Sequence, residues 1–542
     1  MDGEVSTAQT ERANQRSEEL VYAAAVLILS EDLYPRKLEV VREYIQNASD
    51  ALDEYMSVAD QIEDRAEPVI KISLQGRSLL IYDNGIGMDE EEITKLKRIA
   101  YSEKKAGEEA GYKGIGRLAG VAIADKVKIS STSYGDSKLH HFEFRAKEMR
   151  QEISEKKKKG IQEPASQAIN RHSSIWWTDI DPDDHYTMVE LRDIKESCGE
   201  LFDAAQLKEY IGDIGPVDFA PATEFEHGPA ISDKLRQNVP DYSPKTIYLS
   251  TASNERVRIY KPYNNEMSIA KPDFIKITNP DNPAELLAHC WYASKGKEML
   301  GRMRPSGKIF SVEGEGEKRR FAGMVYKLFG FSIGDRTLPQ RTLWTTALPR
   351  AIWFTGEIHI IDKAVTPTTD RSHFVENDAR QRLFSEARRR IPTELNNVAQ
   401  KISDARRAHD DSAKIKKELD GIKTKLDNRQ IDRADIKTIK GDLRERLEQL
   451  KDREKKCKDT DITNFVKEVA KQGRGLDTAL DDPKLLQRMK TVADIASELN
   501  MTSKARKVFE IIMETLARNF EDDKAQYYSI AEQIYKALRK RY

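Results

Sequence analysis

The chain has 542 residues, with 90 basic and 91 acidic side chains and a formal net charge of −1, so no global field draws it to nucleic acid or membrane. Charged residues make up 33% and hydrophobic ones 39%, a polar balance that implies long solvated helices beside packed cores, in three or four domains at about 100–200 residues each. Cys198, Cys290 and Cys457 lie too far apart for a metal pattern or a disulfide framework, which fits a cytoplasmic compartment.

Residues 1–18 are polar, with Asp2 and Glu4 where a signal peptide would be basic. Leu20 to Leu29 is the longest apolar run. It is too short for a bilayer, which needs about 20 residues, and reads as a buried helix, so no membrane is expected. From Lys37 to Met56, Leu38, Val41, Ile45, Ala48, Leu52 and Tyr55 recur at helical spacing. Glu43, Asn47 and Asp50 fall within about 60° of one another on the opposite side. Alone, that trio reads as a solvated face.

The strand-like run 79–83 ends at Asp83, followed by Gly85, Gly87 and Met88. Glycines there permit a tight turn and close approach of a flat ligand, and the carboxylate can accept from an exocyclic amine such as that of adenine. Gly111, Gly114 and Gly116 then precede the helical run Leu118 to Ala124. Free N–H groups at such a start suit a phosphate. No GxxxxGK[ST] occurs, which argues against a P-loop. Further strand-like runs lie at 127–131, 140–145 and 188–194, with Lys156 to Lys159 between them reading as a solvated loop.

Residues 206–395 mix strands (246–249, 357–361) with helices and read as a second α/β domain. Beyond Pro392, Ile415, Leu419, Ile422 and Leu426, then Ile436, Ile439, Leu443, Leu447 and Leu450, form a heptad-like seam on two helices. The break at Asp427 to Asp435 predicts an antiparallel hairpin. The last 80 or so residues read as helical.

Taken together, REYIQNASDALDEY (42–55), DNGIGM (83–88) and GYKGIGRLAGVAIADKV (111–127) resemble the three motifs of the GHKL ATPases, and Hsp90 among them most closely. The resemblance implies an α/β architecture: an α+β sandwich of the Bergerat ATP-binding type over 1–205 and a transducer-like α/β domain over 206–395. An all-α region follows, divided into a coiled-coil hairpin (396–458) and a helical domain (459–542). It also implies ATP and Mg²⁺ as ligands. Glu43 would be the general base, Asn47 the Mg²⁺ ligand and Asp50 a pocket residue. Asp83 would bond the adenine amino group, with Gly85, Gly87 and Met88 against the base. Gly111, Lys113, Gly114, Ile115 and Gly116 would shape the phosphate loop. Ser102 and Lys105 belong to a lid over Ile99 to Lys113. Thr187 matches the last pocket residue, with Tyr186 where the family usually has glycine. Arg371, in DKAVTPTTDRSHF (362–374), falls where Hsp90 carries an arginine that reaches the γ-phosphate.

The expected function is an ATP-operated clamp, a homodimer acting on an unknown protein client or partner subunit. A DNA-associated clamp like MutL or MORC proteins is the alternative, resting on Lys156–Lys159 and Arg539-Lys540-Arg541. A non-hydrolysing nucleotide-gated scaffold, in phage defence for example, is another. A histidine kinase fits poorly, because no histidine precedes Glu43.

Overall fold

The computed structural model describes residues 36–58, 67–97, 116–251, 255–267, 269–294, 321–346, 348–427, 431, 435–482, 496–520 and 524–540. They fall into two compact units. The first holds the described residues up to 294 and from 321 to 395, the second those from 396 onward. The apolar run Leu20–Leu29 lies outside the described residues.

Helix α1 (Leu38–Val58) buries the expected Val41, Ile45, Ala48 and Leu52. It also buries Arg42, Gln46 and Ser49 on its other sides, so its first three turns form a core helix, while Asp53, Glu54, Met56 and Ser57 near its end are exposed. The sheet beneath has eight strands in the order β5-β4-β3-β6-β2-β1-β7-β8. These are β1 (Val69–Gln75), β2 (Ser78–Asp83), β3 (Lys126–Thr132), β4 (Lys138–Phe144), β5 (Ser173–Asp179), β6 (Tyr186–Arg192), β7 (Thr246–Ser250) and β8 (Arg256–Ile259). Neighbours run antiparallel, except that β7 lies parallel to β1. β7 and β8 thus extend this sheet from chain beyond residue 205.

Period-two alternation explains the layering. On β2, Leu79, Ile81 and Asp83 point to the core, while Leu80 and Tyr82 are half-buried on the far face, where Lys71 Nζ sits 4.8 Å from the Tyr82 ring centre. Helices α2 (Ala146–Lys158), α3 (Ala165–His172) and α4 (Ala204–Ile214) add Met149, Ile153, Ile169, Leu207 and Ile211 to the core that α1 packs into. The four lysines at 156–159 are not a loop: they close the last turn of α2, where cations complement the helix dipole. Lys156 is bonded to Glu152 (2.6 Å) and Glu163 (2.8 Å).

A second sheet has the order β12-β11-β13-β10-β9, from β9 (Asp273–Thr278), β10 (Leu286–Ser294), β11 (Gly323–Leu328), β12 (Phe331–Ile333) and β13 (Phe354–Ile360). β11 and β13 are buried along their whole length, the mark of a sheet covered on both faces. Helix α5 (Gly228–Asn238) supplies Ile231 and Leu235 to a cluster with Trp291. Phe384, near the start of α6 (Asp378–Asp427), lies 5.6 Å from Tyr326.

In the second unit, the rest of α6 packs with α7 (Ile436–Lys456) and α8 (Thr460–Ala479). Ile415, Leu419, Leu443 and Leu450 are buried. Arg453 pairs with Asp411 (2.7 Å) and Gln472 with Asp420 (2.6 Å). A third helix thus joins the two that carry the seam. Helices α9 (Ser503–Asn519) and α10 (Lys524–Arg539) enclose a separate small core.

Within the second sheet, Glu357 accepts from Lys261 Nζ (2.9 Å) and lies 2.9 Å from His359 Nε2, with both charged ends buried. Burial alone would raise the Glu357 carboxyl, yet Lys261 and Lys327 hold it well below its ordinary value. Such a group stabilises the fold above its unfolded pKa, and that share is lost as pH falls through the folded one. Glu357→Ala strands Lys261 and is expected to cost about 3–5 kcal/mol in denaturant unfolding, with a flatter acid limb than wild type. An unchanged midpoint would show that Lys261 does not depend on the carboxylate.

Candidate functional site

Three residues interrupt the burial of α1 between Val40 and Asp50. Glu43, Asn47 and Asp50 are half-buried, while Arg42, Tyr44, Ile45, Gln46, Ala48 and Ser49 around them are buried. Within that buried stretch, a half-exposed stripe at 4 and 3 spacing makes a slot.

The turn after β2 docks at one end of it. Ile86 N–H donates to Ala51 O (3.1 Å), and a Cβ on Gly85 would stand 2.7 Å from the Ala51 backbone. Gly87 has φ +76°, and a Cβ there would fall 1.9 Å from Thr132 O. Asp83, Thr187 and Ser131 stand opposite one another on β2, β6 and β3, one polar row across three strands. Ser131 Oγ lies 2.8 Å from Thr187 Oγ1 and accepts from Met88 N–H (2.9 Å). Tyr186 turns its ring to Tyr82, 5.5 Å away, so the missing glycine leaves Thr187 in the row. Asp83 Oδ1 accepts from Gly85 N–H (3.0 Å). Burial pushes its carboxyl up to about 7, against the Gly85 bond that pulls it down.

At the other end, Arg371 Nε stands 3.3 Å from Glu43 Oε1, their side chains only 11% and 15% exposed. Arg371 has φ +55°, rare outside glycine. Its loop is tied by Asp370, which accepts from Thr368 Oγ1 and Ser372 Oγ (both 2.6 Å), and Gly334 N–H donates to Arg371 O (2.9 Å). Beside Glu43, buried Arg42 donates to Ser332 O. Burial, then the nearby Arg371 charge, lowers the Arg42 guanidinium to about 10. Glu43 to Ala51 spans eight residues of helix, about 12 Å.

The structure thus places the Asp83–Met88 turn and Thr187 at one end of the Glu43–Asn47–Asp50 stripe and Arg371 against Glu43 at the other. Gly116 opens a 3₁₀ helix (Gly116–Ala122) whose Gly120 N–H donates to Tyr44 OH (3.0 Å). Ser102, Lys105, Gly111, Lys113, Gly114 and Ile115, with the expected lid, lie outside the described residues. Sequence reasoning missed Ser131, Arg42 and His185, whose Nδ1 is 2.8 Å from Gly85 O. For Ser131 a signal existed: Ser130-Ser131-Thr132 is a polar run inside a strand, and all three are fully buried. Thr132 Oγ1 has no hydrogen-bond partner among the described residues.

Among the described residues no three His, Cys, Asp or Glu side chains converge as a metal centre. The slot instead offers one carboxamide, Asn47, which suits a Mg²⁺ that keeps most of its water.

Residues 36–187 match the family described as histidine kinase-, DNA gyrase B- and HSP90-like ATPases. The chain is similar to the chaperone protein HtpG of Borreliella burgdorferi, 33% identical over 121 residues, covering 19% of this chain and 20% of that protein. It is also similar to the chaperone protein HtpG of Rickettsia prowazekii, 30% identical over 135 residues, 21% and 22% of the two chains. The chain thus matches about a fifth of the length of these curated relatives.

Gly87→Ala is expected to cost at least about 1–3 kcal/mol, from left-handed backbone strain, before the collision with Thr132 O is counted. An unshifted denaturation midpoint would contradict the close approach.

Proposed function

Taking residues 36–187 as a GHKL-type, HSP90-like ATPase domain, we propose that the chain is a Mg²⁺-dependent, ATP-hydrolysing conformational clamp that works with a protein partner. The observation that carries this reading is the slot itself. It has a buried carboxyl at one end and an acid–guanidinium pair about 12 Å along the helix, the span of an extended nucleoside triphosphate.

In this reading Asp83 accepts the adenine amino group, with Thr187 and Ser131 behind it. Gly85 and Gly87 keep side chains out of the base's way. Asn47 would hold Mg²⁺, which supplies charge neutralisation on the phosphates. Glu43 takes the proton of the attacking water. Arg371, held by a tied loop, presents its cation to the terminal phosphate without reorganisation. Nucleotide then favours the arrangement in which Arg371 and Glu43 both face it, and differential affinity of that kind is what drives a clamp. Support for a protein partner comes from the relatives' description as chaperones. Support for a nucleic-acid partner is reduced, since Lys156 is spent on Glu152 and Glu163.

ATP turnover with Mg²⁺ tests the assignment. Glu43→Ala is expected to keep ATP affinity and lose about 10²–10⁴-fold in rate; full turnover in that variant would remove Glu43 as the base. The Asp83 carboxyl of the free protein is protonated below about 7, and only the anion is a full acceptor for the amino group. Affinity for ADP is therefore expected to weaken as pH falls through about 7, by up to tenfold per unit, and to level above it. A calorimetric titration giving flat affinity between about pH 5.5 and 8 would exclude Asp83 as the adenine acceptor.

A further inference from the structure

We propose that the face of the eight-stranded sheet turned away from α1 is a docking surface for single-stranded nucleic acid. This inference is independent of the nucleotide reading. Strand alternation sends one set of side chains to the core and the other to the far face. On β1, β2, β6, β7 and β8 none of the far-face residues is buried. A solvated sheet face is ordinarily polar, yet this one carries large rings. Trp176 on β5, Tyr82 on β2 and Tyr248 on β7 share a single register row, and Tyr186 of β6 lies beside Tyr82. At about 4.8 Å per strand, the row runs about 19 Å from Trp176 to Tyr82 and about 10 Å more to Tyr248. That is the reach of an extended strand and not of a small ligand.

The charges on this face identify its occupant as an anion. Lys71, Lys126, Lys128, Arg192, Arg256 and Arg258 stand on it against two carboxylates, Glu143 and Glu190. The chain as a whole carries −1, so this is a local basic field. Glu190 is taken up between Lys128 (3.9 Å) and Arg192. The rings decide which anion. Lys71 Nζ lies over Tyr82 (4.8 Å), Lys128 Nζ over Trp176 (5.7 Å) and the Arg256 guanidinium over Tyr248 (3.7 Å). A ring beside a cation matches one nucleotide: the base stacks on the ring and the phosphate takes the cation. Exposed cation–ring pairs are weak, so a base displaces the cation from the ring at small cost. A duplex keeps its bases stacked on each other, and an acidic protein segment would use the charges and leave the rings idle. The lysines of α2 take no part, since that helix packs on the core side.

Fluorescence anisotropy of the full chain with a labelled oligothymidylate of about 15 nucleotides tests this. Binding is expected with Kd of about 1–100 μM near 0.1 M salt, and log affinity to fall against log salt with a slope of about −3. Lys71→Ala is expected to flatten that slope by about 0.7. Trp176→Ala and Tyr248→Ala are each expected to weaken binding about tenfold with the slope unchanged. They lie on strands far apart, so one variant that misfolds leaves the other to decide. A duplex of the same length is expected to bind about tenfold more weakly, and saturating ADP to leave the oligonucleotide bound, because the slot is on the other side of the sheet. No binding up to about 1 mM overturns the proposal. Poly-glutamate bound as tightly as the oligonucleotide, with both ring variants indifferent, also overturns it and makes the face a site for an acidic protein segment. Displacement by ADP overturns it too, by placing the oligonucleotide in the slot.

Discussion

Helix α1 has to be buried on nearly every side and still expose a polar slot, and the first unit is arranged to meet both demands. A helix of this kind gains little from water on any face, so its stability comes from what packs on it. The sheet takes Ile45, Ala48 and Leu52 into the shared core. The β2 turn takes the Ala51 carbonyl, the 3₁₀ segment takes the Tyr44 hydroxyl, and β12 takes the Arg42 guanidinium. Between these neighbours Glu43, Asn47 and Asp50 stay half-buried, with Arg371 against Glu43.

Two residues of one short segment tie the ends of this arrangement together. The carbonyl of Ser332 receives Arg42, next to Glu43, and the amide of Gly334 donates to the carbonyl of Arg371. The separation between Glu43 and Arg371 is therefore set by the Arg42 guanidinium on a β12 carbonyl and by a backbone hydrogen bond from the turn beyond it. Ser332 Oγ and Lys327 Nζ both donate to Asp213 O (2.8 and 2.7 Å), which anchors the same segment to α4.

What could be read from the sequence was whatever has a period or a motif. Strand runs such as 79–83, 127–131 and 246–249 became β2, β3 and β7 because alternation reports the pleat directly. Glu43, Asn47, Asp50 and Asp83 stood out because they match the family's motifs in residue type and spacing. Ser131 left only the polar run Ser130-Ser131-Thr132 as a trace, because its place beside Thr187 depends on strand order, which no local pattern encodes. The burial of α1 from Val40 to Ser49 was hidden for the same reason: Arg42, Gln46 and Ser49 look like surface residues until β12 and the rest of the fold cover them. The lysines at 156–159 misled in the opposite direction, because a charge run looks the same in a loop and in the last turn of a helix.

The left-handed backbone of Arg371 has one more consequence. Glycine would relax that conformation at no steric penalty, but it would delete the guanidinium that faces Glu43. No natural side chain satisfies both the backbone and the charge, so this position cannot be optimised for folding and chemistry at once. A screen that ranks variants by thermal resistance alone would therefore favour replacements here that remove the pair with Glu43.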